Sequence, residues 1–185
     1  MPLGVVNKPL VWIDLEMSGL DLSKDRILEI AVIITDGDLN FVAESEDIII
    51  QTEKSLLDSM DDWCTKHHGE SGLTQSALES QISMHQAEQQ ILSFIKRHIP
   101  NQRVGLLAGN SVHMDKEFLR KDMPALLNHL HYRLVDVSTV KELLARWNPE
   151  LLDKAPRKKM THRALDDIRE SIEELRYYKS CAFKF

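Results

Sequence analysis

The chain has 185 residues, a formal net charge of -6 at pH 7 and a pI near 5.7. Its 43% hydrophobic and 28% charged residues are typical of a globular protein of one domain, and no apolar run approaches the length of a membrane span. The acidic balance argues against the large basic face that holds long nucleic acids. We therefore predict a single domain over residues 1–185, with no membrane partner and no stable complex with long nucleic acid.

The N-terminus and the cysteines bear on where the protein resides. The stretch "MPLGVVNKPL" lacks the basic region and the continuous apolar run of a secretory signal. Cys64 and Cys181 provide no disulfide framework and fit a reducing compartment, although the sequence is compatible with one bridge between them. We expect a cytoplasmic protein.

Three strand-like runs open the chain, at Leu10 to Leu15, Ile27 to Thr35 and Phe41 to Gln51. The second and third are joined by "DGDLN", which is typical of a turn. Together they predict an antiparallel meander.

The middle of the chain is helical in pattern. Helices are predicted from about Ser55 to His67 and through "MHQAEQQILSFIKRHI", which Pro100 ends. The apolar face of the second helix comprises Ala87, Ile91, Phe94, Ile95 and His98.

Strands and helices alternate in the second half of the chain. The predicted strands are Val104 to Ala108 and Arg133 to Val137, and the predicted helices are Met114 to Lys121, Pro124 to His131 and Ser138 to Trp147. A long loop, "NPELLDKAPRKKMTH", precedes an amphipathic closing helix, "HRALDDIRESIEELRYYKS". This order predicts an α/β fold with a mixed sheet and helices on its faces.

Two acids stand at the end of the first strand, in "VWIDLEMSGLD". Successive strand side chains alternate between faces, so Asp14 and Glu16 point the same way while Leu15 points into the opposite layer. Two partly desolvated carboxylates side by side repel each other unless a cation joins them. An acidic pair at a strand end is equally common as a solvated edge, so further carboxylates must decide between the two interpretations.

Two further stretches offer such carboxylates. In "GLLAGNSVHMDKEFLRKD" a buried strand leads into a helix that carries Asp115, which is alternatively one of several exposed helix acids. In "THRALDDIRES", Asp167 and its neighbour Asp166 compete, and the pair is alternatively a first-turn complement to the helix dipole. As a set, four acids with no competing cysteine ligands suit Mg²⁺ or Mn²⁺, and two such ions about 4 Å apart activate water for attack on a phosphodiester.

The motifs "DLEMSGLD", "GNSVHMDKEFL" and "HRALDDIRES", in this order and at these separations, resemble those of the DEDDh exonucleases. The wider similarity, from Leu10 to Tyr178, is to the oligoribonuclease branch of that family. The resemblance implies a ribonuclease-H-like mixed five-stranded sheet flanked by helices, in a single exonuclease domain. It also implies a 3′-to-5′ exoribonuclease that degrades very short RNA, especially dinucleotides, to nucleoside 5′-monophosphates by two-metal-ion hydrolysis.

The resemblance assigns the catalytic groups. It implies that Asp14, Glu16, Asp115 and Asp167 bind two divalent cations, Mg²⁺ or Mn²⁺, and that His162 deprotonates the attacking water. The family spacing between the histidine and the last acid selects Asp167 over Asp166. The chemistry agrees with this role, because adjacent cations disfavour imidazolium and keep His162 able to accept a proton.

The resemblance also assigns substrate contacts. Leu20 and Trp63 match apolar positions that sandwich bases, since stacking holds any base without reading it, although both are alternatively core residues. The residues that match the family's cap around the substrate's 5′ phosphate are Ser111, Arg133, Ser138 and Thr139. Hydroxyls, a guanidinium and a helix N-terminus are suitable donors to a phosphate, and Ser138 is alternatively an ordinary N-cap.

His68 and Tyr132 match positions that enter the active site from the other subunit, which implies a homodimer. The basic run Arg157-Lys158-Lys159 is most simply a solvated loop, and the sharper hypothesis makes it a mobile arm that brings His162 over bound substrate.

Two rival functions stay open. One is another DEDDh exonuclease, such as a proofreading or tRNA-trimming enzyme, against which Trp63, the Ser138-Thr139 pair and the acidic pI count. The other is a non-catalytic metal-binding or nucleotide-binding module, against which the complete set of four acids and His162 counts.

Overall fold

The computed structural model describes residues 6–156 and 163–183, which form a mixed sheet flanked by helices. The strands are Leu10–Met17 (β1), Ile27–Thr35 (β2), Phe41–Glu44 (β3), Ile48–Ile49 (β4), Leu106–Gly109 (β5) and His131–Asp136 (β6). The helices are Lys54–Leu57 (α1), Asp62–Glu70 (α2), Leu73–Glu79 (α3), Met84–His98 (α4), His113–Asp122 (α5), Pro124–His129 (α6), Val137–Trp147 (α7), Pro149–Asp153 (α8) and Ala164–Cys181 (α9).

The sheet has the strand order β3-β2-β1-β5-β6, with β4 paired to β2 beside β3. The pairings of β1 with β2 and of β2 with β3 are antiparallel, whereas β1 with β5 and β5 with β6 are parallel. The predicted α/β fold with a mixed sheet is confirmed.

The sheet contains six strands rather than five because the predicted strand from Phe41 to Gln51 is divided into β3 and β4. Ser45 stands at the division. Its Oγ accepts a hydrogen bond from the Val32 amide at 2.9 Å and donates one to the Glu46 carbonyl at 3.0 Å. The side chain thus takes a place that the backbone ladder would otherwise fill, and regular pairing stops there.

Strands β1 and β2 form the centre of the sheet, and every residue of β2 is buried. One face carries Val11, Ile13 and Leu15 of β1, which belong to the core under α4, α5 and α6. The opposite face carries Trp12, which packs with Ile168 and other residues of α9. By the two-residue period of a strand, Asp14 and Glu16 lie on the face covered by α9.

Two helical predictions change in detail. The helix predicted from Ser55 to His67 is divided into α1 and α2, and Asp61 caps the second helix by accepting a hydrogen bond from the Cys64 amide at 2.7 Å. The predicted long loop contains α8, which begins with proline at its first position. Both cysteines are free thiols. Within residues 6–156 and 163–183, no helix has the length and apolar character needed to cross a bilayer.

A buried carboxylate on α4 fixes the start of α6. Glu88 accepts hydrogen bonds from the amides of Ala125, at 2.7 Å, and Leu126, at 3.1 Å. The residue before α6, Met123, makes no side-chain cap bond, so Glu88 supplies the missing acceptor from a neighbouring helix.

We expect Glu88→Ala to lower the free energy of unfolding by about 2 kcal/mol, because the buried Leu126 amide and the partly buried Ala125 amide both lose their acceptor. Glu88→Gln retains one acceptor oxygen and should cost less. Urea denaturation measures both, with Gln90→Ala on the exposed side of the same helix as the control. Equal stability of Glu88→Ala and the control would contradict this role.

Candidate active site

Three carboxylates meet where α9 passes over the end of β1. One oxygen from each of Asp14, Glu16 and Asp167 lies within 4.8 Å of the others. The first two come from alternate positions of the same strand, and the third comes from the first turn of the helix. Oxygen-only ligand sets of this kind suit hard divalent cations such as Mg²⁺ and Mn²⁺, so the residues present fit the metal that the sequence implies.

Burial makes this cluster electrostatically costly when no cation is bound. The pKa of Glu16 is raised to about 8, mainly by burial and then by the negative charges of Glu29, Asp167 and Asp115. Protonation and cation binding are the two ways to relieve such repulsion. A divalent cation bound here would therefore offset the repulsion among the ionised carboxylates.

Asp115 lies next to this cluster. Its Oδ1 accepts a hydrogen bond from the Leu15 amide at 3.1 Å, which ties the first turn of α5 to the middle of β1. Burial raises the pKa of Asp115 to about 7, against the lowering effect of hydrogen bonds from its own backbone amide and that of Leu15. The structure thus gathers the four predicted acids around one end of β1.

Ion pairs on α9 distinguish Asp166 from Asp167, the two candidates for the fourth acid of the site. Asp166 accepts a hydrogen bond from Arg169 at 3.0 Å, and the same guanidinium contacts both carboxylate oxygens of Glu44 at 2.8 Å. Asp166 is therefore paired on the side of the helix that faces β3. Asp167, one position later, turns toward Asp14 and Glu16.

The sequence analysis missed Glu29, which is fully buried on β2 opposite Glu16. Its Oε1 lies 3.3 Å from Nη2 of Arg163, and the same nitrogen lies 3.8 Å from Oδ2 of Asp47. Burial raises the pKa of Glu29 to about 7, and Arg163 opposes that rise. A lone acid inside an apolar run was the available signal, because ionised side chains are seldom fully buried without a partner.

The pair of Glu29 and Arg163 anchors the start of the helix that carries Asp167, since Arg163 is the residue before α9. His162 immediately precedes it but lies outside the described residues, as does the run Arg157-Lys158-Lys159. The roles of these four residues stay predictions.

Leu20 is exposed on a short loop after β1, and hydrogen bonds hold this loop in place. The side chain of Asp25 accepts hydrogen bonds from Ser18 Oγ and from the Asp21 amide, each at 2.9 Å. A Cβ on Gly19 would lie 2.4 Å from an oxygen of Asp25, so only glycine fits. Leu20 itself is 66% exposed, which removes the alternative that it is a core residue.

Trp63 is likewise exposed, on α2. Its side chain is 53% exposed and stacks on the His67 ring with the centroids 4.0 Å apart. Core packing therefore does not explain this tryptophan either. The helix is brought to the end of β1 by His68, whose Nε2 donates a hydrogen bond to the Met17 carbonyl at 2.8 Å.

The same contact fixes the place of His68 within its own chain. The side chain is 1% exposed and is held against its own β1, and its assignment to a partner's site stays a prediction. The prediction rested on a matched motif position, which carries no information about burial. Tyr132, by contrast, is 69% exposed on β6, and its assignment to a partner's site stays a prediction.

The predicted phosphate cap lies where β5 and β6 end. The Ser111 amide donates to Asp136 Oδ1 at 2.9 Å and to Ser138 Oγ at 2.8 Å, and the Ser138 amide donates to Asp136 Oδ1 at 3.0 Å. Ser111 and Ser138 are thus brought together. Thr139 is exposed in the first turn of α7, and Arg133 is exposed on β6.

Asp136 is a second residue that the sequence analysis missed. It is the N-cap of α7, the position for which Ser138 was an alternative, and it accepts hydrogen bonds from two residues of the predicted cap. An aspartate directly before a helix was the available signal.

Comparison with known proteins adds a family to this geometry. A family model described as Exonuclease (RNase_T) matches residues 11–175. The mitochondrial oligoribonuclease of Mus musculus is 56% identical over 177 residues, covering 95% of this chain and 73% of that protein. The oligoribonuclease of Arabidopsis thaliana is 55% identical over 181 residues, covering 98% and 81%, and that of Halorhodospira halophila is 51% identical over 177 residues, covering 96% of each.

Solved structures support the fold. Exonuclease I of Methylocaldum szegediense superposes with a TM-score of 0.71 at 20% identity, covering 94% of this chain and 40% of that one. Escherichia coli exonuclease I in complex with a dA16 oligonucleotide gives 0.72 at 19% identity, covering 94% and 41%. The likeness confirms the predicted ribonuclease-H-like fold, and this chain spans about 40% of the length of those proteins.

The raised pKa of Glu16 predicts how stability depends on pH. A carboxyl whose pKa rises on folding contributes stability below its ordinary value of 4.5 and loses that contribution as the pH rises toward about 8. In chelator, the melting temperature should therefore fall between these values. Added Mg²⁺ or Mn²⁺ should raise it more at the upper end, because binding requires the ionised carboxylates.

Differential scanning fluorimetry across this pH range, with and without each cation, measures the effect. Glu16→Gln should flatten the pH dependence and weaken the response to the cation, whereas Asp166→Asn, which alters an outward-facing ion pair, should behave as the parent. An equal cation response in Glu16→Gln and the parent would contradict the assignment.

Proposed function

The chain belongs to the oligoribonuclease group of the exonuclease family, and on that premise we propose that it removes nucleoside 5′-monophosphates from the 3′ end of very short single-stranded RNA, dinucleotides above all. The observation that carries the proposal is the convergence of Asp14, Glu16 and Asp167, with Asp115 beside them. Such a carboxylate cluster serves phosphodiester hydrolysis because it can hold divalent cations.

The four acids would hold two divalent cations, Mg²⁺ or Mn²⁺. When bound, these ions supply the Lewis acidity that lowers the pKa of water and offsets the charge of the scissile phosphate. The Leu15 amide orients Asp115, and the Glu29–Arg163 pair steadies the start of the helix that presents Asp167.

In the proposed reaction a water oxygen forms a bond to phosphorus while the bond from phosphorus to the preceding 3′ oxygen breaks. His162 accepts the proton of the attacking water, by the resemblance described above. The terminal nucleotide leaves with the phosphate on its 5′ oxygen, and the released 3′ oxygen of the shortened strand takes a proton from solvent to become a hydroxyl.

The proposed substrate contacts are apolar groups on the bases and donors on the 5′ phosphate. The exposure of Leu20 and Trp63 supports base stacking without sequence preference. The hydroxyls of Ser111 and Thr139 together with Arg133 supply donors for the terminal phosphate, and Ser138, whose hydroxyl donates to Asn110, completes the cap beside them. A site closed by donors at one end and cations at the other needs no long basic groove, which accords with the net charge of -6.

The active unit is proposed to be a homodimer in which the partner's Tyr132 completes the site. Its large exposed ring on β6 supports this arrangement. A protein that sediments as a monomer in analytical ultracentrifugation and is fully active at the same concentration would contradict the proposal. The single exonuclease domain and the cytoplasmic location stay predictions.

Replacing one ligand tests the proposed chemistry. We expect Asp167→Asn to reduce the rate of dinucleotide cleavage by at least about 100-fold, the upper end of what loss of an outer-sphere partner costs. Asp166→Asn is the matched control, because it makes the same chemical change one position away at an aspartate paired with Arg169. Its rate should stay close to that of the parent in a mononucleotide-release assay. Binding without cleavage in the parent protein would instead favour a non-catalytic module.

Substrate length tests the proposed cap. In the same Mg²⁺ buffer, a 5′-phosphorylated diribonucleotide should be cleaved much faster than a heptamer of the same base, because only the short strand spans both ends of the site. Chelator should abolish both reactions. Equal or faster cleavage of the heptamer would keep the metal chemistry and remove the cap.

A further inference from the structure

The side chain of Asn110 forms hydrogen bonds both toward the acidic cluster and toward the proposed phosphate cap. It lies in the turn between β5 and α5. Its Nδ2 donates to Ser171 Oγ at 2.8 Å and to Glu174 Oε2 at 3.0 Å, both on α9. Its Oδ1 accepts from Ser138 Oγ at 3.1 Å, on α7. A single amide thus uses donors toward one helix and its acceptor toward another.

These contacts continue in both directions. On the side of α9, Ser171 Oγ donates to the Asp167 carbonyl at 2.8 Å. On the side of the cap, Ser138 Oγ accepts from the Ser111 amide at 2.8 Å and lies 3.1 Å from Ser111 Oγ. An unbroken path of hydrogen bonds therefore runs from a residue of the acidic cluster to two residues of the proposed cap.

Glu174 is the anchor of this path. Its carboxylate is buried, and it receives Tyr178 Oη at 2.7 Å as well as the Asn110 amide, while Lys141 Nζ lies 3.8 Å away. A buried carboxylate costs stability unless it is well partnered, and these contacts supply the partners. The Glu174 carboxylate in turn is a strong hydrogen-bond acceptor for Asn110 Nδ2.

The cap side of the path needs such an anchor. Ser111 has a φ of +52°, in the left-handed region of the backbone map that residues other than glycine and asparagine seldom adopt. Its position is therefore imposed by its partners, Asp136 and Ser138, rather than by backbone preference. Movement of Ser138 would release Ser111 as well.

We infer that Asn110, anchored by Glu174, is a positioning residue that fixes the phosphate cap at a set separation from the acidic cluster and thereby determines the substrate length that the site accepts. The inference rests on the proposed function, because it concerns the same cap. Neither residue touches the substrate in this account. Both act through Ser138 and Ser111.

The test compares three substrates in the parent protein and in Asn110→Ala, namely a 5′-phosphorylated diribonucleotide, the same dinucleotide without that phosphate, and a 5′-phosphorylated heptamer. In Asn110→Ala, we expect KM for the phosphorylated dinucleotide to rise about tenfold, since small displacements of positioning groups have effects of this order or larger. Both kcat and KM for the unphosphorylated dinucleotide should change less than about twofold, because that substrate does not use the cap. The preference for the dinucleotide over the heptamer should fall in parallel.

Two further variants separate positioning from stability. Tyr178→Phe removes a donor to the same carboxylate but leaves the path through Asn110, so it should lower the melting temperature and keep the substrate preferences. Glu174→Gln keeps an acceptor for Asn110 and should retain more of the preference for the 5′ phosphate than Glu174→Leu, which keeps none. This pair also covers the case in which Asn110→Ala does not fold.

The outcomes are distinguishable. If the parent prefers the phosphorylated dinucleotide and Asn110→Ala folds with the same preference, the inference is overturned and the proposed function stands. Uniform loss of activity on all three substrates would make Asn110 a structural residue and also overturn it. If the parent cleaves dinucleotides without regard to the 5′ phosphate, the cap and this inference both fail, and if it cleaves none, the proposed function fails first.

Discussion

Carboxylate repulsion at the end of β1 is the constraint around which the rest of this structure is arranged. Asp14 and Glu16 are placed side by side by the pleat of one strand, and Asp167 is added from α9. Water is partly excluded there, so the repulsion is not screened as it is at a surface. The protein holds this arrangement because the sheet and the helix are fixed by other contacts, and a bound cation would relieve the cost.

Helix α9 carries most of those contacts. Its apolar side packs on Trp12 and Ile33 of the sheet. Its start is anchored by the pair of Arg163 and Glu29, and its outer side by the pair of Arg169 and Glu44. Farther along, Glu174 reaches Asn110. One helix therefore contacts both the acidic cluster and, through Asn110, the proposed phosphate cap, as the proposed selection of short substrates requires.

Two features of the structure are decided by contacts between distant segments. The strand predicted from Phe41 to Gln51 is interrupted because the Ser45 side chain accepts a hydrogen bond from the backbone amide of Val32. Val32 lies on β2 and is distant from Ser45 in sequence. His68 is likewise placed by a contact between distant segments, since it is buried against Met17 of its own chain. In both cases a contact that the local pattern does not contain decided where the residue lies.

What the sequence determined by itself follows from local periodicity. The period of two placed Asp14 and Glu16 on one face, and the helical period placed the apolar side of α9 on the sheet. The sequence pattern also offered Asp115 and the Asp166-Asp167 pair as candidates, and the family motifs selected Asp167 and assigned the role of base to His162. The tertiary structure alone decided that Glu29 lies opposite Glu16, that Asp136 accepts hydrogen bonds from Ser111 and Ser138, and that Asn110 contacts both α9 and α7. These roles depend on strand order, register and helix packing, and such pairings between distant segments leave no trace in the spacing of residues along the chain.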